Sequence, residues 1–133
     1  MVARPCVLVV DPSEETREVL RTALARQGTE FLEAARADRG LEIARSHQPD
    51  VIVLDLECEP ARAATVAEGF RDVSPEHPAS VVILGTARQA QHGDFEHSLG
   101  DGQFVRKPYH YGPLIRKIEE LLSEHRSVAG RAA

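Results

Sequence analysis

The chain is 133 residues long and 42% hydrophobic, enough for one ordinary core and too short for two. Its formal net charge of -5 argues against a phosphate-backbone binder, which would carry a basic face or stripe, so no direct nucleic-acid contact is expected. The apolar run in MVARPCVLVVD stops at an acid after five residues, too short for a signal or membrane segment, and predicts a cytoplasmic protein with no membrane contact. Cys6 and Cys58 lack CxxC spacing and read as reduced thiols, Cys6 as a strand residue.

In chain order, CVLVVD (Cys6–Asp11) is the first strand. Thr16, Val19, Leu20, Ala23 and Leu24 then recur at helical spacing, and Gly28 ends that helix. Thr29–Ala34 is the second strand and Asp38–His47 the second helix, with Pro49 just beyond its end. DVIVLD (Asp50–Asp55) is the third strand, a short apolar run of the kind buried on both faces of a parallel sheet. Arg62–Val73 is helix-compatible and closed by SPEHP before the fourth strand, Val81–Leu84. Gln89–Leu99 reads as a helix, Gln103–Arg106 as a short strand, and Pro113–His125 as the last helix, with Leu114, Ile115, Ile118, Leu121 and Leu122 on one face. The stretch Ser123–Ala133 reads as a frayed tail or linker, leaving 1–122 as one domain.

Five strands alternating with five helices imply an α/β fold: a doubly wound parallel sheet with helices on both faces. The flavodoxin-like order 2-1-3-4-5 puts its switch point between the first and third strands. Both of those strands end in aspartate, Asp11 and Asp55. Two carboxylates side by side repel unless a cation or proton intervenes, and a hard divalent ion such as Mg²⁺ suits oxygen ligands. Lys107 follows the fifth strand and can bring a positive charge to the same edge; Thr86, after the fourth, can add a hydroxyl.

VLVVD, PDVIVLDL, ILGTA and GQFVRKPY together resemble the receiver domains of two-component response regulators over roughly Pro5–Leu122. The resemblance implies that Asp55 accepts a phosphoryl group from a sensor histidine kinase or phosphotransfer protein, with Mg²⁺ shielding charge. It further implies that Lys107 pairs with the phosphoryl oxygens, that Thr86 and Phe104 are the switch pair, and that a cis peptide precedes Pro108. The metal would be held by Asp11, Asp55 and the backbone carbonyl of Glu57. A downstream protein target, rather than an enzymatic turnover, would read the modified state.

Two departures from the family pattern stand out. Pro12 occupies the place of a second acid that would bind the metal directly, which predicts weak Mg²⁺ binding, with Glu14, Glu15 or Glu57 as candidate substitutes. Pro60 falls five residues after Asp55 rather than four, leaving either Thr86 or Gly85 at the switch position. These departures support an alternative: a degenerate receiver acting as a phosphorylation-independent interaction or dimerisation module. Plainer roles also compete: Asp55 as a loop cap, Asp11 as the first helix's N-cap, Lys107 as a solvated lysine, Thr86 in a turn, Phe104 in the core, and Glu57 and Glu59 simply solvated. The six histidines show no HxxxH or HExxH spacing and read as surface residues rather than zinc ligands. No GxGxxG or Walker A loop follows a strand, which leaves a nucleotide-binding enzyme unsupported.

Overall fold

The computed structural model describes residues 4–93 and 103–132. Five strands, β1 (Cys6–Val10), β2 (Glu30–Ala34), β3 (Val51–Asp55), β4 (Ser80–Gly85) and β5 (Phe104–Arg106), form one parallel sheet in the order β2-β1-β3-β4-β5. Between and after them lie five α-helices among the described residues: α1 (Glu14–Ala25), α2 (Ala37–His47), α3 (Ala63–Arg71), α4 (Ala87–Gly93) and α5 (Tyr111–Ala132).

The continuous apolar runs have the physical cause anticipated for them. Successive strand side chains point to opposite faces, and helices cover both, so every residue of β1 and β3 is buried. Leu8, Val10, Ile52, Leu54 and Ile83 face Ala44, Ala67 and Phe70 of α2 and α3. Val7, Val9, Val51, Val53, Val82 and Leu84 face Leu20 and Leu24 of α1 and Leu114, Ile118 and Leu122 of α5. Among the described residues no helix is long and apolar enough to cross a membrane.

Several boundaries differ from the sequence reading. Leu56–Cys58 and Pro60–Arg62 form two 3-10 turns ahead of α3, because Pro60 cannot sit inside an α-helix that needs its missing N–H. The helix expected over Gln89–Leu99 begins at Ala87; residues 94–102 lie outside the described residues. Ser123–Ala132, read as a frayed tail, continues α5 without a break. The first helix closes at Ala25, and Gly28 sits three residues on at φ 78, a left-handed conformation that favours glycine. Cys6 and Cys58 are free thiols, as expected.

Candidate functional site

Register brings the two strand-end acids together. Val10 pairs with Leu54, so Asp11 stands level with Asp55 at the carboxyl edge of the sheet, at its switch point. Both are buried, at 1% and 4% exposure. Each carboxylate first satisfies its own loop. Asp11 Oδ1 accepts from Ser13 N at 2.8 Å, and Asp55 Oδ1 accepts from Glu57 N at 2.8 Å, capping the first 3-10 turn. The N-cap of α1 is therefore Ser13, whose Oγ accepts from Thr16 N at 3.2 Å, and not Asp11.

Lys107 is delivered from two strands away. Its backbone N donates to Gly85 O at 2.8 Å, extending the β4–β5 ladder by one residue. The side chain then crosses the end of β4, a span of roughly 10 Å at ordinary strand spacing. Its Nζ lies 2.8 Å from Asp55 Oδ1, with the lysine side chain 26% and the aspartate 6% exposed. The Lys107–Pro108 peptide is cis, which agrees with the sequence expectation.

One cation faces two carboxylates, and the imbalance falls on Asp11. Among the described residues no N–H or O–H donor meets its buried Oδ2. Burial raises the Asp11 carboxyl to about 6; the Ser13 N–H pulls the other way, while the Asp55 carboxylate adds to the rise through its charge and a side-chain hydrogen bond. An unpaired, inward-facing carboxylate oxygen is the kind of group that fits a divalent cation. Pro12 and the candidate substitutes Glu14, Glu15 and Glu57 are all exposed, and among the described residues Asp11 and Asp55 are the buried carboxylates.

Above the acids opens a crevice of about 620 Å³, walled by Ser13, Thr16, Thr86, Pro108, Tyr109 and Tyr111, with Asp55 and Lys107 at its floor. Thr86 thus lies in the same crevice as the predicted acceptor. Its Oγ1 accepts from Gln89 N at 3.1 Å while Gln89 Oε1 accepts from Thr86 N at 2.8 Å, a reciprocal cap at the start of α4. Gly85 is crowded: a Cβ there would lie 2.9 Å from Leu56 Cδ1, Phe104 Cζ and Gln89 Oε1, three side-chain ends that would have to shift. Phe104 packs against the α2/α3 face of the core rather than lining the crevice.

Thr16, Tyr109 and Tyr111 were not singled out from the sequence. Thr16 Oγ1 and Tyr111 Oη lie 3.1 Å apart, tying α1 to the start of α5 across the crevice mouth. Burial pushes the Tyr109 phenol up to about 12, so it stays neutral, and its ring meets Tyr111 edge-on at 5.9 Å. The KPY tripeptide is the available sequence signal, and Thr16 falls at helical spacing within an apolar helix face.

The sequence model of the response regulator receiver domain matches residues 7–119. The chain belongs to the response regulator receiver domain family. It is 29% identical over 119 residues to the KDP operon transcriptional regulatory protein KdpE of Escherichia coli K12, covering 90% of this chain and 52% of KdpE. It is 33% identical over 118 residues to the sensor histidine kinase AtsR of Burkholderia thailandensis, covering 87% of this chain and 19% of AtsR. The chain spans about half the length of the transcriptional regulators it matches. A CheY-like receiver domain protein from Methanospirillum hungatei superposes with a TM-score of 0.78 at 19% identity, covering 94% of this chain and 98% of that one, which shows a shared fold. Receiver domains belong to two-component signalling, in general as phosphoacceptors rather than catalytic enzymes.

Proposed function

We propose that this receiver accepts a phosphoryl group on Asp55 and changes its protein contacts in response. The observation that carries the reading is the 2.8 Å contact of Lys107 Nζ with Asp55 Oδ1, beside an Asp11 oxygen that has no donor. In the transfer, a carboxylate oxygen of Asp55 attacks the phosphorus of a phosphohistidine on a sensor histidine kinase or phosphotransfer protein. The new P–O bond forms as the P–N bond breaks, and the electron pair leaves on the imidazole nitrogen. Lys107 then pairs with phosphoryl oxygens, supplying the differential contact a switch needs.

The Thr86 hydroxyl accepts from Gln89 N and keeps its own O–H to donate to the new phosphoryl group; where turning toward that group breaks the contact, the cap of α4 loses about 1 kcal/mol. That cost links modification of Asp55 to the start of α4, and Phe104, beside Gly85, would repack with it. Mg²⁺ would be held by Asp11, Asp55 and the backbone carbonyl of Glu57, where it neutralises the carboxylates and the phosphoryl oxygens. The direct test is incubation with acetyl phosphate or beryllofluoride and Mg²⁺. A phosphoprotein that disappears in Asp55→Asn is expected; no labelling of the wild-type chain sinks the reading.

One observation favours a second reading, a phosphorylation-independent interaction module: Pro12, exposed, offers no carboxylate where a second acid would bind metal. Mg²⁺ titration followed by NMR separates the two. Saturable shifts around Asp11 and Asp55 support the switch, and their absence supports the module.

A further inference from the structure

We propose that Asp50, His77 and His125 form a zinc-type metal site at the amino edge of the sheet, opposite the phosphoryl crevice. The three residues come from the entry to β3, the loop between α3 and β4, and α5. Their ligand atoms all lie within 4.8 Å of one another. Asp50 Oδ1 is 2.9 Å from His77 Nε2 and 4.0 Å from His125 Nδ1. Tetrahedral zinc with metal–ligand bonds near 2.0–2.2 Å needs ligand atoms about 3.3 Å apart, which these two distances bracket. The third pair, the two histidine nitrogens, lies within 4.8 Å, with ring centroids 6.2 Å apart, so the exposed His77 ring must turn by about an ångström to close the set.

The donors are of the right chemical class and are already oriented. Two imidazoles and one carboxylate suit zinc, and a three-ligand site leaves a fourth position for water. Magnesium, which prefers oxygen, is disfavoured here. Asp50 Oδ2 is fixed by Cys6 N at 2.8 Å, leaving Oδ1 toward the histidines. His125 Nε2 lies 2.9 Å from Ser80 Oγ. When Nε2–H donates to that hydroxyl, Nδ1 turns a lone pair toward the Asp50 carboxylate. A cation between them converts that repulsion into coordination, and in that tautomer the Ser80 hydroxyl accepts from Nε2–H as outer partners of metal-bound histidines do. His77 has a 45% exposed side chain, free to turn its Nε2 from Asp50 to the metal and open to entry from solvent.

Such an ion would fasten α5 to the floor of the sheet. The histidines are thus not all plain surface residues: His77 and His125 are half-buried and converge, whereas His47 and His110 are exposed.

Calorimetric titration of the whole chain with Zn²⁺, in excess Mg²⁺ to fill the crevice, tests the site. The expectation is one equivalent bound and a melting temperature raised by about 10 °C at hundredfold excess over Kd. His77→Ala and His125→Ala should each weaken binding at least about tenfold, Ser80→Ala by about 10–100-fold, and Asp55→Asn not at all. No binding, or equal binding by the His77→Ala/His125→Ala double variant, overturns the proposal. Because His125→Ala can loosen α5, NMR on the wild-type chain gives a second reading. Zn²⁺ should shift both imidazoles and the Cys6 and Ser80 amides; shifts confined to the Asp11–Asp55 crevice or to other histidines overturn the proposal.

Discussion

Strand β3 is entered and left by an aspartate, and the two carboxylates stand in opposite circumstances. Asp50 is satisfied within the fold: one oxygen takes Cys6 N, the other faces His77, and its backbone bonds Cys6 O and Ser80 N. At the other end, Asp55 concentrates Glu57 N and Lys107 Nζ on one oxygen, beside a buried Asp11 oxygen with nothing to accept from. The amino edge is built to hold strands together. The carboxyl edge retains a buried carboxylate oxygen that no described donor meets, which suits uptake of a phosphoryl group and its accompanying cation. If that contrast is right, removing a carboxylate's charge at the two ends should change stability in opposite directions, and removing the lysine that offsets the carboxyl-edge charge should cost most.

The largest effect is expected from Lys107→Met, which keeps the apolar stem and removes the charge. Two adjacent buried carboxylates then lose their shared cation, and urea unfolding at pH 7.5 should show a loss of about 3 kcal/mol. Added Mg²⁺ should restore part of that loss; a variant as stable as wild type without Mg²⁺ breaks the contrast. Next comes Asp50→Ala, which strands the buried N–H of Cys6. A loss of about 2 kcal/mol is expected, this time indifferent to Mg²⁺.

Asp11→Asn should act with the opposite sign. The folded carboxyl is raised from 3.8 to about 6, so between those values the folded state holds the proton more tightly than the unfolded chain. Stability from this group is full below pH 3.8, is lost as pH rises through 6, and above that the ionised carboxylate destabilises. Asparagine keeps an oxygen for Ser13 N and removes the charge. At pH 7.5 the variant should therefore be more stable by about 2 kcal/mol, and below pH 4 equal to wild type. Thermal melts across that range check the sign, and a variant less stable at pH 7.5 would refute the charge argument.

How much of this was legible in the sequence depended on the range of the interaction. CVLVV and VIVL were readable because burial on both faces leaves no polar residue in the run, and alternation with helices implied a parallel sheet, for which 2-1-3-4-5 is the economical order. Asp11, Asp55 and Lys107 could be placed because each sits at a strand end, where topology alone decides the neighbours. DPSEE was ambiguous, since aspartate and serine both make good N-caps; only the three-residue step from Ser13 to Thr16 chooses between them. Continuation of α5 past Leu122 left no apolar stripe to detect. The Asp50–His77–His125 cluster had no local trace at all, because its members lie 27 or more residues apart and no spacing rule spans a folded sheet.

The smallest expected effect concerns Thr86 and separates a cap from a switch. As a cap alone, Thr86→Ala should cost about 1 kcal/mol and Thr86→Ser nearly nothing, since serine keeps the oxygen that accepts from Gln89 N. As a switch as well, the two variants should also differ after beryllofluoride is added. Serine should reproduce the wild-type amide shifts along α4, and alanine should form the Asp55 adduct while leaving α4 unmoved. Equal α4 shifts in the alanine variant would leave Thr86 as a cap only. The hydroxyl route would then be closed, because Gly85, the other residue at that position, offers no hydroxyl.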